Sequence, residues 1–167
     1  MKKETVYHFS YGICKVNGVV EKTFGNAQEK AKFVHLSSVY TVDADAFVPF
    51  DTYGERTREV TSKEDMQKLL EMLPSIIDKQ NANFRTRIQD FDREIKKGDI
   101  RVNLGIMASL YDNYAKSKYL SVQESKVYTT VRFLLFTEVA AVLDISIEEA
   151  EALIDNVLST RESTKEE

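Results

Sequence analysis

Few side chains in this sequence combine a type and a spacing that could make or break bonds. His8 and His35 stand apart from each other and from any carboxylate or thiol pattern, so no metal-ligand set is expected and both read as strand residues. Cys14, the only cysteine, reads as a small buried hydrophobe and not as a nucleophile. Asp43 and Asp45 are spaced like a paired-carboxylate site, but they fall among turn formers, where such residues serve backbone geometry. There is no phosphate-cradling glycine loop, nucleophile elbow or zinc spacing. No enzyme is expected, and no cofactor or metal.

What the chain does offer is unevenly placed charge. Lys79, Arg85, Arg87, Arg93, Lys96, Lys97 and Arg101 fall in one segment, interleaved with Asp90, Asp92, Glu94 and Asp99. Lys116, Lys118, Lys126 and Arg132 form a second, opposed by Glu124. From Glu138 onward the balance is strongly acidic, with only Arg161 and Lys165 on the other side. A local positive patch on an acidic protein suffices for phosphate contacts. Charge runs on amphipathic helices are more commonly solvated faces, and the residues by themselves favour that reading.

The elements that must position these side chains change character near Thr61. Val6–Phe9, Ile13–Val20, Lys32–Leu36 and Ala46–Phe50 are short runs rich in β-branched and aromatic residues, separated by turn formers. They suggest a small barrel or strongly bent sheet, with Ala46–Pro49 at an edge because Pro49 has no N–H to give a ladder. Beyond them, Ser62 with Asp65 opens a helix striped by Met66, Leu69, Leu70 and Leu73, and Gln80–Asn83 reads as a hinge. Phe84, Ile88, Phe91 and Ile95 share one helical face that Gly98 ends, and Asp99 caps a helix striped by Ile100, Leu104, Ala108, Tyr111 and Ala115. Ser121 and Glu124 form a capping box before a segment that is apolar on nearly every side from Phe133 to Leu143; such a helix must be surrounded by others. Ser146 with Glu149 opens a last helix carrying Ile147, Ala150, Ile154, Val157 and Leu158 on one face.

The sequence has 167 residues and a net charge of -4, enough chain for one domain or two small ones and no sign of wholesale nucleic-acid binding. A single cysteine fits a reducing compartment, and the start MKKETVYHF lacks the apolar core of a signal peptide. The expected location is cytoplasmic.

Read in order, Gly98-Asp99, Leu110-Tyr111, Leu120-Ser121 with Glu124, Arg132-Phe133-Leu134-Leu135 with Glu138-Val139-Ala140, and Ser146–Ala150 with Leu153-Ile154 resemble the helical domain of the CarD/CdnL family of bacterial transcription regulators. Val6-Tyr7, Tyr11-Gly12-Ile13, Gly18-Val19 and Val48-Pro49 resemble the domain which that family shares with transcription-repair coupling factor. The resemblance implies an α+β protein: a Tudor-like β-barrel domain at 1–60 that grips the RNA polymerase β subunit, a connecting helix and hinge at 61–80, a helical domain at 81–160 that touches promoter DNA at the upstream fork, and a disordered tail at 161–167. The helical part is expected to hold about four to five helices. Members of the family modulate the open promoter complex, so the location would be nucleoid-associated through polymerase.

The same resemblance assigns residues. Phe84 matches the position where the family usually carries a tryptophan at the upstream fork, and an aromatic ring there can wedge against an unstacked base step. Phenylalanine lacks the indole N–H, and Phe84 also fits a core stripe, so both roles remain open. Thr86 and Gln89 replace basic residues of relatives, leaving Arg85, Arg87, Lys126 and Arg132 as phosphate partners. Free DNA should therefore be bound weakly and without sequence preference. Polymerase contact would use Lys22, Ala46, Phe47, Val48 and Pro49, the edge strand adding itself to a strand of the partner. Phe47 departs from the basic residue common at its position and makes that contact more apolar, unless it packs inside the barrel. The protein would act as a monomer, with strand-paired or swapped dimers open to it in isolation. The competing reading is a protein-interaction adaptor that uses the same β domain without touching DNA.

Overall fold

The computed structural model describes residues 4–23, 25–26, 28–76 and 88–165. Phe84, Arg85, Arg87 and the expected hinge at 80–83 lie outside the described residues. The chain divides into two compact units, 1–60 and 61–167.

The first unit is a five-stranded antiparallel sheet, as the strand-like runs suggested, built from β1 (Thr5–His8), β2 (Gly12–Lys22), β3 (Ala31–Ser38), β4 (Asp45–Pro49) and β5 (Thr57–Glu59) in the order β4-β3-β2-β1-β5. Alternation decides its faces. Val34 and Leu36 of β3 and Ala46 and Val48 of β4 turn inward with Cys14, Val6 and Val16, and Tyr53 of the one-turn helix α1 (Tyr53–Arg56) closes over them. The β2–β3 register slips between Val16 and Gly18, and Gly18 sits at φ 127, a conformation that a side chain rarely adopts. Burial pushes the Cys14 thiol up to about 11, so at neutral pH it is protonated packing material.

The second unit contains α2 (Lys63–Glu71), α3 (Ile88–Ile95), α4 (Ile100–Ser117), α5 (Val122–Leu143) and α6 (Ile147–Lys165). Its axis is α5. The Ser121 capping box starts it, and Leu134 through Ala140 are buried without a break, so α2, α3, α4 and α6 pack around it. Thr137 donates back to Phe133 O at 2.6 Å, and Glu138, 1 % exposed, accepts from the N–H and hydroxyl of Thr61 at 3.2 and 2.8 Å. No helix among the described residues is long and apolar enough to cross a membrane.

Two sequence-based boundaries differ from the structure. The helix expected to be a connector, α2, belongs to the helical unit, because it buries Met66 and Leu69 there and its entry residue Thr61 is held by Glu138. The tail expected to be disordered from 161 continues α6 in helical form through Lys165, with the Ser159 and Thr160 hydroxyls bonding back to Asp155 O and Asn156 O.

Candidate functional site

The sheet ends at β4, which pairs with β3 and carries no second partner among the described residues. Its inward residues Ala46 and Val48 anchor it in the core. By alternation Asp45, Phe47 and Pro49 face the other way, so Phe47 is not a barrel-core residue. The ring of Phe47 is stacked on His35 of β3, directly opposite in the ladder, with centroids 4.7 Å apart and planes 10° off parallel. Lys22, from the end of β2, places its Nζ 3.7 Å from the Phe47 centroid. The sheet thus brings Lys22 and Phe47, far apart in sequence, into one contact.

A polar chain fixes the start of this edge. Asn17, in the bulge, donates to Ser37 Oγ at 2.6 Å; Ser37 donates to Asp45 Oδ1 at 2.8 Å; and His35 Nε2 lies 3.3 Å from the same oxygen. The Ser37 hydroxyl first, and His35 second, hold the Asp45 carboxyl below the usual carboxylate range. Asp45 therefore meets solvent as an anion, flanked by an apolar ring. The site as a whole is an open backbone edge with an aromatic–cation cluster on its outer face. It can add a strand and close an apolar contact.

At the other end of the chain the predicted phosphate partners fare differently. Lys126 is exposed on α5. Arg132, one turn and a half further on, is committed within the fold: its guanidinium forks onto Asp155 with both N–O distances at 3.2 Å, pairs with Glu151, and donates to Tyr128 Oη at 2.9 Å. That arrangement ties α5 to α6 and leaves Arg132 22 % exposed. No local pattern marks this arrangement, because the partners lie 19 and 23 residues away on another helix. His35 likewise reads locally as an ordinary strand residue; its place in the cluster follows from cross-strand register, which sets it opposite Phe47. No group of histidine, cysteine and carboxylate among the described residues could hold a metal ion.

An antiparallel sheet with an uncovered edge, followed by helices packed around one apolar helix, is the arrangement of a Tudor-like domain plus a helical domain. A family model described as CarD, C-terminal domain, matches residues 68–155, more than half of the chain, and the protein belongs to the CarD family. CarD-like proteins are transcription regulators that interact with RNA polymerase and DNA. No curated protein matches the chain.

Proposed function

We propose that this protein docks on the RNA polymerase β subunit through β4 and, from that position, brings its helical unit against promoter DNA at the upstream fork, altering the stability of the open complex. The observation that carries this reading is the exposed edge at Asp45–Pro49 with Phe47 held outward between Lys22 and His35. Strand addition supplies backbone hydrogen bonds that are indifferent to side chains, and the Phe47 cluster supplies the apolar contact that selects the partner. A protein that binds the melted complex better than the closed one shifts the equilibrium by that difference in affinity alone. Phosphate contacts position such a protein and DNA shape is what it senses, so no base reading is required. Lys126 remains the exposed phosphate partner of α5; Phe84, Arg85 and Arg87 keep the roles that the family pattern assigns them.

Phe47→Asp tests the docking step. Core packing rests on Ala46 and Val48, so the sheet persists, while the new carboxylate lies beside Asp45 on the outer face. The variant is expected to lose capture of the β subunit in a pull-down while its helical circular dichroism signal is kept. Undiminished capture would rule out β4 as the docking element.

A further inference from the structure

The turn joining α4 to α5 presents aromatic and cationic side chains together. Lys118 caps α4 in the left-handed conformation, φ 56, with its N–H 2.7 Å from Tyr114 O. Glycine is the usual occupant of such a cap because a Cβ is disfavoured there, so a lysine held at this φ points to a use for its side chain. The Ser117 hydroxyl, 2.8 Å from Asn113 O and 3.0 Å from Tyr119 O, steadies the residues that follow. Tyr119 is 68 % exposed and Val122 71 %.

From Tyr119 an open groove of about 700 Å³ runs past Val122 along the solvent face of α5 to Lys126, Thr129 and Thr130. None of the described residues lining it is a carboxylate, and neither Lys118 nor Lys126 forms an ion pair among the described residues. The Thr129 and Thr130 hydroxyls donate to Ser125 O and Lys126 O, so toward the groove they act as acceptors.

A flat exposed ring, an aliphatic floor, acceptors along one wall and unpaired cations beside it match an unpaired nucleotide. Such a nucleotide has a base face to stack, N–H groups to satisfy and a phosphate to neutralise. Duplex DNA keeps its base faces stacked and offers none to Tyr119. We propose that this corner binds a single-stranded DNA segment, with one base stacked on Tyr119 and neighbouring phosphates drawn to Lys118 and Lys126. The inference rests on the function proposed above, since a melted promoter is what would present such a strand.

The test titrates the full chain into a labelled oligothymidylate, an abasic oligomer of equal length and a polyglutamate peptide, each followed by anisotropy at low and moderate salt. Oligothymidylate should bind about tenfold more tightly than the abasic oligomer. Tyr119→Ala should erase that preference and Tyr119→Phe should keep it. Lys118→Gly relaxes the cap, so it should raise the thermal midpoint and yet weaken binding with a shallower salt slope, a pairing that misfolding does not produce. Equal affinity for the oligothymidylate and abasic strands, an unchanged Tyr119→Ala, or tighter capture of polyglutamate would each overturn the proposal. None of those results touches polymerase capture or open-complex lifetime. Conversely, an open complex indifferent to the wild-type protein would defeat the functional reading and leave strand binding standing.

Discussion

Phe47 meets two demands at the level of a single residue. It faces outward, where an aromatic ring ordinarily loses free energy to water, and it recovers part of that by stacking on His35 and lying under Lys22. His8 illustrates the opposite situation, a polar group turned inward. It is 6 % exposed, and its Nδ1 accepts from Ser10 N at 3.1 Å and Tyr11 N at 3.3 Å, locking the β1–β2 turn. Burial, followed by the Arg56 charge, lowers its pKa from the ordinary 6.5, so the folded chain binds fewer protons here than the unfolded one. The associated stability is complete above about pH 6.5 and drains away as the pH falls toward the depressed folded value. His8→Asn keeps an acceptor that does not titrate. Thermal midpoints recorded from pH 8 to pH 5 should show the wild type losing ground to that variant below about pH 6.5; parallel curves would mean that His8 is not the titrating lock.

At the scale of elements, what could be read ahead of time followed from local pattern. Pro49 marked an edge strand because a missing N–H is a local fact, and the apolar run Phe133–Leu143 marked the central helix because burial on all sides leaves no polar stripe. Long-range pairing had no such signature. α4 buries Asn103, Gly105 and Ser109 along with its apolar stripe, and three residues sufficed for β5, where Arg58 lies 3.9 Å from the Tyr7 ring. Two element-level consequences can be measured. Thr61→Val removes one donor from the buried Glu138 carboxylate and should cost about 1–3 kcal/mol in urea unfolding of the helical unit. Arg132→Ala strands Asp155 and Glu151 at the α5–α6 contact and should lower the melting temperature, whereas Lys126→Ala, at an exposed position, should leave it unchanged while weakening DNA-assisted binding. An Arg132→Ala protein as stable as wild type would return that guanidinium to the list of phosphate partners.

For the whole molecule, the proposed function requires two weak contacts that become one effective grip only because they would share a chain. A duplex alone should be held loosely by this acidic protein, and in the proposed arrangement polymerase would supply the proximity that makes the DNA contact count. Counterion release gives that contact a steep salt dependence, which an adaptor touching protein alone would lack. The most direct measurement is therefore the lifetime of the polymerase–promoter open complex after competitor challenge, taken across salt with wild type and with Phe47→Asp. The wild type should change the lifetime, its effect should fade steeply as salt rises, and Phe47→Asp should have no effect at equal concentration. A Phe47→Asp protein that changes the lifetime as the wild type does would contradict docking through β4, and with it the proposed route from sheet edge to DNA.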